Sequence, residues 1–114
     1  MTTATTVMLQ ASAIHLAEAI VYAPEGIRSR ILLEDANCRY TLMAISRGMY
    51  IAEHTSPRNA TVHVIEGRGV LTLEGKDIAL APGVFIVMPA KARHAIQAQE
   101  NLAFLLTLSE QPAR

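Results

Sequence analysis

The sequence predicts an all-β fold, a sandwich or barrel of about ten short strands. Three observations carry this. Turn-forming residues recur at near-regular spacing from Pro24 to Pro89. The segments between them are short and rich in β-branched or apolar residues. No long stretch shows the apolar period of an amphipathic helix.

Taken in order, residues 1–10 are threonine-rich without turn signals and read as a frayed tail. Ile14 to Ala23 suits a short helix or an edge strand, since periodicity does not decide at this length. Pro24-Glu25-Gly26 turns the chain. Ile27, Ile31 and Leu33 then share one face with Arg28 and Arg30 on the other, the period-2 pattern of a half-buried strand. After a turn at 34–37, Arg39 to Arg47 returns as a second strand, and Gly48 punctuates before a third at Met49 to His54. Ser56-Pro57-Arg58-Asn59 is a loop, because proline has no ladder donor to give. Thr61 to Glu66 is β-branched; Gly67-Arg68-Gly69 bends it into Val70 to Glu74, and Gly75 opens a hairpin into Ile78 to Ala81. Val84 to Met88 is apolar at every position and is expected to be buried on both faces. Arg93 to Gln97 and Leu102 to Leu108 complete the set.

A chain of 114 residues makes one domain with one core. Ten basic and ten acidic residues cancel, so no positive field exists to hold a phosphate backbone, and nucleic acid is not an expected partner. The apolar fraction of 51% exceeds what a small monomer needs to cover, and together with the apolar Ile14–Tyr22 segment it predicts a homodimer. Cys38 is alone, so no internal disulfide forms and no cysteine-type zinc site exists, which fits a reducing compartment. The start of the chain lacks the positive charge of a signal peptide, and no apolar run reaches the roughly 20 residues needed to span a bilayer. A cytoplasmic protein without membrane contact is the expectation.

Two stretches resemble the paired motifs of the cupin superfamily. In the first, Gly48, His54 and Gly67 fall at the spacing of the family's glycine, first histidine and closing glycine. Ser56 stands where the family has a second histidine, and Ala60 where it has a glutamate. In the second, Gly83, Pro89 and His94 match the family's glycine, proline and histidine, while Lys91 replaces a glycine and Ala98 an asparagine. The resemblance spans roughly residues 27–108. It implies a small cupin of the conserved-barrel type, a β-barrel or double-stranded jelly-roll sandwich over residues 27–114. Residues 1–26 would form an arm that packs on a partner subunit.

The resemblance also implies that His54 and His94 face the barrel interior. Alternation from Ala60 puts Val62 and Val64 inward and His63 outward; a bulge in the preceding loop would reverse this. Cupins usually surround one metal ion with three histidines and a glutamate. Here His54 and His94 would supply two imidazoles, with His63 a third only if it turned inward; zinc, nickel, manganese and iron are the candidate metals. Tyr50, at an even spacing from His54, is a candidate to place its hydroxyl in the cavity, and Ser56 is a weak neutral ligand.

Two readings follow. In one, the barrel binds a small organic ligand through Tyr50, His54, Ser56 and His94, without metal or with a reduced metal site. In the other, it is a metal-dependent enzyme, a dioxygenase, isomerase or relative, using a divalent metal on His54 and His94. The fold does not choose between them.

Overall fold

The structure, a computed structural model, describes residues 11–110, so the threonine-rich tail lies outside the described residues. The strands are β1 (Ile27–Glu34), β2 (Cys38–Ile45), β3 (Tyr50–His54), β4 (Asn59–Glu66), β5 (Gly69–Leu73), β6 (Lys76–Leu80), β7 (Phe85–Met88), β8 (His94–Ala98) and β9 (Leu102–Ser109). They form two antiparallel sheets, one ordered β1-β2-β9-β4-β7 and the other β3-β8-β5-β6. This is the jelly-roll sandwich expected of the sequence. The segment 14–23 contains a single helical turn, α1 (Leu16–Ala19). No described helix is long and apolar enough to cross a membrane.

Alternation builds the core. Ala60, Val62 and Val64 project inward from β4 and meet Leu71, Ile86, Met88, Ile96 and Phe104, all buried in one cluster. Burial of this apolar surface drives the two sheets together. The edges hold two surprises. Val84–Met88 is not buried on both faces: Ile86 and Met88 are, but Phe85 and Val87 are each 60% exposed. The reason is position, since β7 is an edge strand beside β4, and among the described residues its outward-facing side chains stay open to solvent. In β1, a bulge between Ile31 and Leu33 pairs Ile31 with Thr41 but Leu33 with Tyr40. Adjacent partners point to opposite faces, so Leu33 leaves the face that Ile27 and Ile31 share.

The described part of the N-terminal arm packs on its own barrel. Ser46 donates from Oγ to the Ala23 carbonyl (2.7 Å) and from its amide to the Gly26 carbonyl (2.9 Å). The Tyr22 hydroxyl donates to Glu66 Oε2 at 2.7 Å, and partial burial, with that carboxylate beside it, pushes the phenol well above its ordinary pKa.

Two carboxylates pin turns on the way to the site. Asp35 Oδ1 accepts from the amides of Asn37 and Cys38, both at 2.8 Å, and closes the β1–β2 turn. Glu74 accepts from the Arg93 amide at 2.6 Å and from its guanidinium at 3.1 Å, tying the β5–β6 hairpin to the segment before β8. These donors hold both carboxyl groups below the usual carboxylate range. A depressed folded-state pKa means the stabilisation is present above the unfolded value, about 4, and is lost as pH falls through the folded one. The double variant Asp35→Asn, Glu74→Gln keeps an oxygen acceptor at both places but cannot titrate. Its thermal midpoint is expected to fall less between about pH 4 and pH 2 than that of the parent. Parallel acid limbs for the two proteins would show that these turns contribute nothing to acid sensitivity.

Candidate functional site

The two motif histidines come together across adjacent strands. β3 pairs with β8, and a bulge between Ile51 and His54 brings His54 directly opposite His94. The ring centroids lie 4.2 Å apart with the planes at 60°. His94 is 7% exposed and shares the inward face of β8 with Ile96, whose partner Leu71 belongs to the core and whose partner Ile51 packs against it.

Both rings are held the same way. His54 Nδ1 lies 2.9 Å from the Ala52 carbonyl, and His94 Nδ1 lies 3.0 Å from the Ala92 carbonyl. A carbonyl oxygen only accepts, so each Nδ1 carries the proton, and a neutral ring is left with its lone pair on Nε2. Among the described residues neither Nε2 has a hydrogen-bond partner. No buried side-chain nitrogen or oxygen is left unpartnered among them either, so the small exposure of His94 includes its Nε2. Two bare acceptors therefore stand side by side at the mouth of the sandwich.

Local hydrogen bonds bring the two motifs to that mouth. The Lys91 amide donates to the Ser56 carbonyl at 2.7 Å, and the Ala90 amide donates to Asn59 Oδ1 at 2.8 Å. Lys91 keeps a left-handed φ of +72°, the backbone conformation for which the motif uses glycine. The loop geometry thus outlasts the residue change.

The remaining candidates divide. Ser56 sits in the loop after β3, half-buried, and its hydroxyl accepts from the Arg58 amide at 3.1 Å. Ala60 is buried on the inner face of β4 beside Met88 and Leu108. Tyr50 does not join the pair: it is 57% exposed and sits opposite the exposed Gln97, on the face away from Ile51 and Ile96. Plain alternation puts residues 50 and 54 on one face, and the bulge between them undoes it. His63 lies exposed on the outer face of β4, its ring 6.3 Å from that of Phe85, so it is not available to a three-histidine site with His54 and His94. His15 is on the arm, within 3.0 Å of Glu18.

The donor set around the pair is short of a metal shell. Among the described residues no group of three or more His, Cys, Asp or Glu is placed to hold an ion. Ala60 has no donor, and Ser56 is engaged with the backbone. Two imidazoles do not fit a metal held by protein ligands alone.

Beside the mouth, a cleft of about 250 Å³ opens over the inner face of β1, β2 and β9. Ile31, Met43, Leu106 and Leu108 give it apolar walls, and Ser29, Thr41 and Arg39 supply the polar groups. The histidines do not line it, but strand register relates the two: Arg39 pairs with Leu108, which pairs with Ala60, which pairs with Met88. That row crosses the sheet at the end where the histidine loops meet. Sequence reasoning missed these residues. The available signal was the parity of β2, where an arginine and a threonine share a face with Met43 and Ile45.

Comparison with known proteins points one way. A family model described as a cupin domain matches residues 41–108. A cupin 2 conserved barrel domain protein from Leptotrichia buccalis is 32% identical, with 85% of this chain and 47% of that chain covered and a TM-score of 0.79. A conserved protein of unknown function from Streptococcus pyogenes is 27% identical over 93% of both chains, with a TM-score of 0.81. A salicylate 1,2-dioxygenase from Pseudaminobacter salicylatoxidans shares the fold at 18% identity and a TM-score of 0.70, over 76% of this chain and 27% of that one. No protein of curated function matches the sequence.

Proposed function

The chain belongs to the cupin family, and on that premise we propose that it binds a small hydroxyl-bearing organic molecule at the barrel mouth, without a metal. The observation that carries this reading is the His54–His94 pair, with Nδ1 of each ring committed to a carbonyl and Nε2 of each left bare. Two fixed acceptors suit hydroxyl donors, and orienting them in advance lowers the entropy lost on binding. The neighbouring cleft, apolar with Ser29, Thr41 and Arg39 at its polar points, would take the body of such a molecule.

A panel of small polyols and hydroxy acids, tested by thermal shift on chelator-treated protein, checks the proposal. A ligand is expected whose affinity drops about tenfold or more in both His54→Ala and His94→Ala, the loss of one hydrogen bond to a desolvated partner. A ligand that binds both variants as well as the parent would place its site elsewhere.

A metal-dependent enzyme is the second reading. Donation of each Nδ1 proton to a carbonyl is how metal-ligating imidazoles are ordinarily oriented, and this favours it. His54 and His94 would then hold a divalent transition metal, with the rest of its shell from water or ligand. Metal at one equivalent in untagged protein, purified without chelator, would decide for this reading over the first.

A further inference from the structure

A second cleft of about 250 Å³ lies outside the barrel, between the N-terminal arm and the outer face of the five-stranded sheet. Leu42 and Ala44, each only 3% exposed, line it from β2, and Ala19, Ile20 and Val21 line it from the arm. Register sets what stands beside them: on β1, Arg30 is directly opposite Leu42 and Arg28 directly opposite Ala44. Directly paired residues share a face, so both guanidiniums flank the apolar floor. Among the described residues neither arginine has a carboxylate within salt-bridge distance.

We infer that this outer cleft binds a small amphipathic carboxylate, its apolar body on Leu42, Ala44 and the arm, its head group between Arg28 and Arg30. Charge complementarity argues for the anion. Each guanidinium is a planar, multi-donor group that fits a carboxylate, and two of them stand two residues apart on one strand face. The volume sets the size, since about 250 Å³ holds a chain of roughly eight carbons and not a bilayer-forming lipid. Charged side chains also protect edge strands from mispairing, but that duty is met by charge anywhere on the edge. It does not require a half-enclosed apolar floor across from both arginines. The site is separate from the barrel mouth, with β1 as the partition: Ser29 borders both clefts.

Octanoate is the probe, followed by backbone amide shifts and calorimetry on the intact chain. Saturable binding is expected, with the largest shifts at Ala19–Val21 and Arg28–Arg30. 1-Octanol, which has the tail without the charge, should bind about tenfold more weakly or less. Arg28→Gln with Arg30→Gln should weaken octanoate by about tenfold or more, whereas Arg39→Gln, in the inner cleft, should leave it unchanged. Val21→Asp is a second probe at an exposed wall position; its carboxylate would occupy the two arginines and abolish binding. Octanoate lost in Arg39→Gln but retained in the double variant would move the anion into the barrel and overturn the inference. Equal affinity for octanoate and octanol, or no saturable binding, would overturn it too.

Discussion

The double variant Ser56→His, Ala60→Glu is expected to bind divalent first-row metals orders of magnitude more tightly than the parent. Ala60 projects from the inner face of β4, and His94 from the inner face of the opposing sheet. The loop carrying Ser56 is pinned to the loop that leads into His94 by the Lys91 amide. An imidazole and a carboxylate added there complete a shell of three histidines and one glutamate, and each added ligand multiplies affinity. Metal at a hundred times its Kd should then stabilise the variant by about 2.7 kcal/mol, because it binds only the folded state. Without metal the sign reverses. Ala60 sits among Met88, Leu108 and Val62, and a carboxylate there without a partner should cost on the order of 2 kcal/mol or more. Calorimetry with zinc, nickel and manganese, and thermal melts with and without metal, measure both effects. A variant that folds normally and gains no affinity would mean that positions 56 and 60 do not face the histidine pair.

Gly67→Ala should be among the most damaging single substitutions in the chain, costing about 3 kcal/mol or more. Gly67 joins β4 to β5 at φ +90°, and a Cβ there would overlap the Asn101 carbonyl and crowd the Leu102 backbone. Those atoms cannot swing aside. The turn around Asn101 is held by hydrogen bonds from the Gln99 and Glu100 amides to the Arg68 carbonyl, at 3.0 and 3.1 Å. Gly75, at φ +81°, has nothing within 4 Å of such a Cβ, so Gly75→Ala should incur only the left-handed backbone penalty of roughly 1–2 kcal/mol. At several degrees of thermal midpoint per kcal/mol, the two variants should separate clearly in a melt. Equal losses would show that conformation alone, without the close approach to Asn101, accounts for the Gly67 effect.

Much of this molecule was legible in its residues. Turn residues between short β-branched segments placed the strands, and alternation along β4 put Ala60, Val62 and Val64 on the core side with His63 opposite. Local chemistry suffices there, because a strand's side chains alternate whatever its neighbours are. The resemblance to the cupin motifs, carried by Gly48, His54, Gly83, Pro89 and His94, implied that the two histidines share one site, and β3 and β8 set them opposite each other. Other features belong to the tertiary structure alone. The bulge in β3 that parts Tyr50 from His54 and sets the exposed His54 opposite His94, and the bulge in β1 that turns Leu33 away from Ile31, are mismatches between partner strands. Neither strand carries that information by itself. The exposure of Phe85 and Val87 follows from the place of β7 in the sheet order, which its own composition cannot report. The two clefts on either side of β1 arise the same way, from residues of β1, β2, β9 and the arm that meet only when distant strands pair. Side-chain direction is a local property; register, edge position and cavities are properties of pairs and layers.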